Sequence, residues 1–222
     1  MSFGQLGYDV AHLLGGGVLL LSFVLLYQRR IGAVINAFAM QGALLALAAA
    51  WAAHTQGVAG LYLTAILTMA AKGVLIPLAL HATVRRLDLH RTVETALGIG
   101  PSLVAGVGLV ALAILVVLPA TEGARVLARE DLALALSVVL LGMLMMITRR
   151  NAISQVIGLL SLENGLILAA IGVAGMPLVV ELSTAALVLM IAVVAAVFAF
   201  QIRERFDTLD TASLEEHRGE RR

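Results

Sequence analysis

Residues 61–82, LYLTAILTMAAKGVLIPLALHA, form an apolar run whose single formally charged residue, Lys72, stands near its middle. A helix needs ~20 consecutive apolar residues to cross the hydrocarbon core of a bilayer, and this run meets that length. Six further apolar runs flank it along the chain: Val10 to Tyr27, Ile31 to Ala53, Leu97 to Leu118, Leu132 to Thr148, Ile153 to Ala174 and Leu178 to Phe200. The sequence therefore predicts an all-α integral membrane protein of about seven transmembrane helices. Composition agrees, because 61% of the 222 residues are hydrophobic and 13% charged, whereas soluble domains carry about 25% charged residues. Lipid is the expected solvent.

The runs are divided by Arg29-Arg30, by His54-Thr55-Gln56-Gly57, by Arg85 to Glu94, by Thr121 to Asp131, by Arg149-Arg150-Asn151 and by Met176-Pro177. Alternate divisions carry the positive charge: Arg29 and Arg30, then Arg85, Arg86 and Arg91, then Arg149 and Arg150, and finally Arg203 and Arg205 beyond the last run. Only Arg125 and Arg129 fall on the other side. The positive-inside rule then predicts an N-terminus outside and a C-terminus in the cytoplasm, as an odd number of spans also requires. Localisation in the cell (cytoplasmic) membrane follows. The mixed-charge stretch 203–222 reads as a cytoplasmic tail.

A net charge of +1, with arginines in short clusters between apolar runs, gives no basic surface for nucleic acid. The absence of cysteine excludes disulfides, thiolate metal sites, iron-sulfur ligation and thiol nucleophiles, so no cofactor is expected in this chain and any redox centre belongs to a partner. Before the first run there is Asp9 but no lysine or arginine, unlike the basic start of a secretory signal peptide, so the first helix is expected to be retained. His12, His54, His81, His90 and His217 lie near span ends or in loops with no metal-ligand spacing. No nucleophile with its base and no phosphate-cradling glycine loop stands out. The small residues that fill many spans, such as Gly15-Gly16-Gly17, read as close helix packing.

Candidate functional residues are the polar side chains inside the spans. Fourteen of the fifteen basic residues are arginines in loops or tail, and the one lysine is Lys72. A charge at the bilayer centre costs roughly 2.5–3.5 kcal/mol on insertion scales, so it persists only when paired, hydrated or neutralised. Gly73 leaves room beside it, and Pro77 lacks the N–H that would bond the Gly73 carbonyl, which predicts a helix break with a freed acceptor next to the ammonium. Glu163, followed by Asn164, lies near the middle of the sixth run. The two charges are expected to pair or exchange protons, or simply to tie helices together. Glu181 enters the seventh run from its outer end, as an anchor or a path residue, and Gln41 and Asn36 add amides in the second, either to order a water chain or simply to bond a neighbouring helix. The expected ion or proton path is thus Lys72, Glu163, Glu181, Asn164 and Gln41.

Arg149-Arg150-Asn151, Leu162-Glu163-Asn164-Gly165, Lys72 with Pro77, and Thr208-Leu209-Asp210 in the tail resemble hydrogenase-4 component E over nearly the whole chain. From about Leu132 onward the chain is also similar to the small three-helix subunit K of respiratory complex I and to the equivalent small membrane subunit of multisubunit sodium/proton antiporters. The resemblance implies three regions: 1–130, a four-helix N-terminal part; 131–202, the three-helix part; and 203–222, the tail. It implies a non-catalytic membrane-arm subunit of a formate hydrogenlyase or related group 4 nickel-iron hydrogenase. The expected partners are antiporter-like membrane subunits and a membrane heel subunit, with the nickel-iron catalytic arm beyond them, and the expected role is proton or sodium translocation. Glu163 looks like the mid-membrane glutamate of the three-helix subunit, one turn farther from the Arg-Arg-Asn loop. The second such glutamate aligns near Leu187 to Leu189, which are apolar here, whereas Glu181 resembles a glutamate of component E. A purely structural scaffold is the rival reading.

Overall fold

The computed structural model describes residues 3–86, 96–121 and 126–172, all within one compact unit, Met1–Ser183. The helices are α1 (Phe3–Tyr27), α2 (Ile31–Gln56), α3 (Ala59–Thr68), α4 (Ile76–Arg86), α5 (Ile99–Ala120), α6 (Val126–Thr148) and α7 (Ala152–Gly172), with a π-helical segment (Met69–Leu75) joining α3 to α4. Six helical stretches are long and apolar enough to cross a membrane, and α3, the π segment and α4 together make one of them. The chain is a multi-pass helical membrane protein. The predicted seventh span, Leu178 to Phe200, and the tail 203–222 lie outside the described residues.

Two helices begin well before their apolar runs. α1 starts at Phe3 and not Val10, and α6 at Val126 and not Leu132, because Asp9 and Arg129-Glu130-Asp131 end the hydrophobic pattern without ending the backbone ladder. The other boundaries fall where local chemistry puts them. Gly57, with φ 69°, takes the left-handed conformation that closes α2 and lets α3 begin two residues later. Pro101 sits in the first turn of α5, where its missing N–H costs nothing. Asn151 caps α7, its Oδ1 accepting from the N–H groups of Ile153 at 2.9 Å and Ser154 at 3.4 Å.

The π segment is a consequence of Pro77. A proline cannot donate to the carbonyl four residues back and its ring crowds that oxygen, so the preceding turn widens. The Ile76 N–H accordingly bonds the Ala71 carbonyl, five residues back. The predicted helix break is therefore a bulge in a continuous helix. The room expected at Gly73 is taken by Met69, whose Sδ would lie 2.9 Å from a Cβ placed there.

α6 and α7 form the most closely packed pair, through glycines. A Cβ on Gly142 would come within 2.5 Å of the Leu162 nitrogen, one on Gly158 within 2.9 Å of the Met146 nitrogen, and one on Gly165 within 2.7 Å of the Val139 nitrogen. In lipid such backbone contact replaces the missing hydrophobic drive between helices. α1 and α2 pack on α6 and α7 around a core that includes Val18, Leu45, Ala49, Ala135, Val138 and Ile167.

Arg149, expected in a solvated turn, is buried. Its Nη2 donates to the carbonyls of Leu25 at 2.9 Å and Leu26 at 2.7 Å, at the C-terminal end of α1. A guanidinium there satisfies carbonyls that have no helical partner and meets the negative end of the helix dipole. Hydrogen bonds to a charged group contribute about 1.5–3 kcal/mol. Arg149→Met should lower the thermal stability of the purified chain by about that much while Arg150→Met, on an exposed side chain, changes it by less than about 0.5 kcal/mol. Equal melting temperatures for the two variants would contradict the clamp.

Candidate functional site

The third membrane stretch runs from Ala59 to Arg85, so Lys72 is 72 − 59 = 13 residues from one end and 85 − 72 = 13 from the other. A helix rises ~1.5 Å per residue, which leaves the ammonium too deep to reach either surface along its own stem. It is fully buried, at 0% exposure. Around it the structure gathers side chains from α1, α2 and α7. Lys72 Nζ lies 3.0 Å from Glu163 Oε2 and donates to Asn164 Oδ1 at 2.7 Å. Asn164 Nδ2 donates to Gln41 Oε1 at 3.0 Å. Gln41 Nε2 donates to Ser22 Oγ at 2.8 Å and to the Val18 carbonyl at 3.3 Å, and Ser22 Oγ donates to that same carbonyl at 3.1 Å.

Every member of this chain is buried: Ser22, Gln41, Lys72, Glu163 and Asn164. Burying two opposite charges costs several kcal/mol each in desolvation, and their attraction offsets it only with close geometry and further hydrogen bonds. Lys72 has both. Glu163 has less: its Oε2 lies within ion-pair distance of the ammonium, but neither carboxylate oxygen has a hydrogen-bond partner among the described residues. The carboxylate is thus the end of the pair left with open acceptors.

α2 can approach the π segment because residue 42 is glycine. A Cβ on Gly42 would sit 2.8 Å from Lys72 Cβ, 3.0 Å from its carbonyl carbon and 3.1 Å from its carbonyl oxygen. Gln41 and Gly42 therefore act together, one supplying the amide and the other the clearance. The Lys72 carbonyl, five residues before Pro77, is also one that the proline cannot serve within the π turn.

Of the residues expected to form a path, the structure brings Lys72, Glu163, Asn164 and Gln41 into one connected cluster, with Gly73 and Pro77 shaping the helix that carries Lys72. Glu181 lies outside the described residues. Asn36 is exposed on the outer face of α2 and takes no part. Ser22 and Gly42 join the cluster without having stood out among the candidate residues of the sequence. A lone serine within the apolar first run and a glycine directly after the intramembrane glutamine are the signals that point to them.

A second polar group lies at the far end of the bundle from Arg149. The Tyr8 hydroxyl donates to Glu130 Oε2 at 2.6 Å, and His12 stands between Asp131 Oδ1, 3.4 Å from Nδ1, and Glu130 Oε2, 3.6 Å from Nε2. These side chains are partly exposed. His12 and Ser22 are 22 − 12 = 10 residues apart on α1, or ~15 Å of helix, so the two groups are distinct. His81, on α4, has its Nδ1 2.9 Å from the Pro77 carbonyl.

The chain is similar to the uncharacterized protein Rv0085 of Mycobacterium tuberculosis (strain ATCC 25618 / H37Rv), with 28% identity over 205 residues that cover 91% of this chain and 93% of that protein. No family model matches the chain. No solved structure matches it either.

Because Lys72 is the sole lysine, its burial can be read with an amine-acylating reagent, the modified peptide being located by mass spectrometry. Lys72 should stay unmodified in native micelles and react after denaturation in SDS. Gly42→Leu should make it reactive without denaturation and cost about 1–3 kcal/mol of stability through overpacking. Native labelling of the unaltered chain at the denatured rate would contradict the burial.

Proposed function

We propose that this chain is a non-catalytic membrane-arm subunit of a membrane-bound, group 4 hydrogenase or formate hydrogenlyase-type complex, in which Lys72 and Glu163 handle the charge that is moved across the membrane. The observation that carries the reading is the buried pair itself, 3.0 Å apart and 13 residues from either end of the third membrane stretch. Ionisable groups at that depth are expensive and mark ion or proton routes. Moving one proton from Lys72 Nζ to Glu163 Oε2 converts two buried charges into a neutral amine and a neutral acid. The pair thus has two forms, and a change of charge in a neighbouring subunit biases one against the other.

The resemblance to hydrogenase-4 component E supplies the setting: antiporter-like subunits and a membrane heel subunit as neighbours, and the nickel-iron and iron-sulfur centres on other polypeptides. The positive-inside rule supplies the orientation of this reading, N-terminus outside and arginine-bearing turns toward the cytoplasm in the cell membrane. The transported ion in this reading is a proton or sodium. Glu181 and the stretch 203–222 belong to the same proposal.

A second reading, a structural scaffold linking antiporter-like subunits to the catalytic arm, is favoured by the way Lys72 is held. Two acceptors and a glycine-tight helix contact fix it from different sides. The two readings part on mutation. In the charge-handling reading, Glu163→Gln leaves the set of co-purifying subunits unchanged in mild detergent and lowers ion translocation by tenfold or more in vesicles of the whole complex. In the scaffold reading, partner subunits are lost first, and combining Glu163→Gln with Lys72→Met restores some of them. Co-purification with no redox partner at all would sink both.

A further inference from the structure

The hydrogen bonds that leave Lys72 all run in one direction. Lys72 donates to Asn164, Asn164 to Gln41, Gln41 to Ser22 and to the Val18 carbonyl, and Ser22 to that carbonyl again. A main-chain carbonyl can only accept, so the far end of the series is fixed by covalent structure. The fixed end sets each amide in turn. With Gln41 Nε2 committed to Ser22 and Val18, its Oε1 is the atom left to face Asn164. With Asn164 Nδ2 committed to that oxygen, Oδ1 is the atom left to face the ammonium.

We infer that Ser22 and Gln41 are positioning residues, a one-way hydrogen-bond strut anchored on the Val18 carbonyl that holds the oxygen of Asn164 against the Lys72 ammonium. This rests on the charge-handling reading of Lys72 and Glu163 and adds to it a division of labour. Side-chain amides hold their protons at neutral pH, so the series through Asn164 and Gln41 orients Lys72 and does not conduct. Proton exchange is left to the Glu163 side of the ammonium, where neither carboxylate oxygen has a hydrogen-bond partner among the described residues. This revises the place of Gln41 and Asn164, expected from sequence as members of the path itself.

The strut makes Lys72 easier to keep protonated. Without the Gln41 amide, Asn164 is free to turn its NH2 group toward the lysine once the amine is neutral and to donate to its lone pair, so the neutral form gains a hydrogen bond that the strut denies it. Among the described residues Glu163, on α7, is the titratable side chain that faces Lys72. α2 brings Gln41 and Gly42 to it, and α1 reaches the strut through Ser22, all uncharged.

Because the chain has one lysine, lysine labelled with nitrogen-15 gives a single side-chain signal in nanodiscs holding the full-length protein. The titration of that signal should move in Gln41→Leu to a pH corresponding to about tenfold weaker proton binding, the effect of one hydrogen bond to a charged group. Ser22→Ala should move it the same way by about two- to threefold, since Gln41 keeps its bond to Val18. Ser137→Ala removes a buried hydroxyl bonded to the Ala133 carbonyl and outside the series, and should not move it. A titration unchanged in folded Gln41→Leu, or moved equally by Ser137→Ala, would overturn the strut and leave the role of Lys72 and Glu163 standing. A signal that stays that of an ammonium at every pH where the protein is folded would instead overturn proton exchange by Lys72. The strut is then decided at one fixed pH, where a displaced or doubled signal in Gln41→Leu supports it and an unmoved one overturns it.

Discussion

An ammonium ion in the middle of a bilayer has to be supplied with acceptors by protein, because hydrocarbon offers none. Lys72 receives them from a helix distant in sequence, Glu163 and Asn164 on α7, and this demand organises the centre of the bundle. α2 must come close enough to orient Asn164, which requires Gly42. The third membrane stretch must present Lys72 toward α7, which the widened turn before Pro77 allows. Removing one partner from such a pair is far more damaging than never having built it, since about 3–5 kcal/mol is at stake when a buried charge loses its counter-ion.

The remainder of the molecule is built to hold these helices in register without much polar chemistry. α6 and α7 meet backbone to backbone at Gly142, Gly158 and Gly165. Arg149 ties the turn between them to the end of α1, while at the other end Gln56 donates to the Ile171 carbonyl at 3.0 Å and Trp51 to the Gly7 carbonyl at 2.7 Å. α5 shows its large apolar side chains outward, including Val104, Val107 and Leu115, as a helix facing lipid or another subunit does. Among the described residues, the side-chain hydrogen bonds that join one helix to another are thereby concentrated in the central series and at the two ends.

Much of this was legible in the sequence, for reasons that lie in particular residues. Run lengths located the six described membrane stretches, because crossing hydrocarbon leaves a chain little freedom. Depth alone matched Lys72 with Glu163 and Asn164, since all three stand near the middles of their runs. What depth does not carry is azimuth: Gln41 and Asn36 share α2, yet one faces the cluster and the other the outside, and only packing distinguishes them. Ser22 and Gly42 were hidden for the same reason, being small residues among many. Arg149 read as a marker of the cytoplasmic side because arginines usually sit in water, and its burial depends on where α1 ends. Pro77 announced an irregular helix, but not whether the chain would break or bulge.

The centre of the bundle depends on the contact between Lys72 and Glu163 within the membrane. It is tested most directly by magnetic-resonance dipolar recoupling between the side-chain nitrogen of the single lysine, labelled with nitrogen-15, and glutamate side-chain carboxyl carbons labelled with carbon-13, in the full-length protein in lipid. A strong nitrogen–carbon coupling, as the 3.0 Å ion pair requires, that disappears in Glu163→Ala is the predicted result. A lysine signal with no coupling to any glutamate carboxyl carbon, or one whose coupling survives Glu163→Ala, would contradict it.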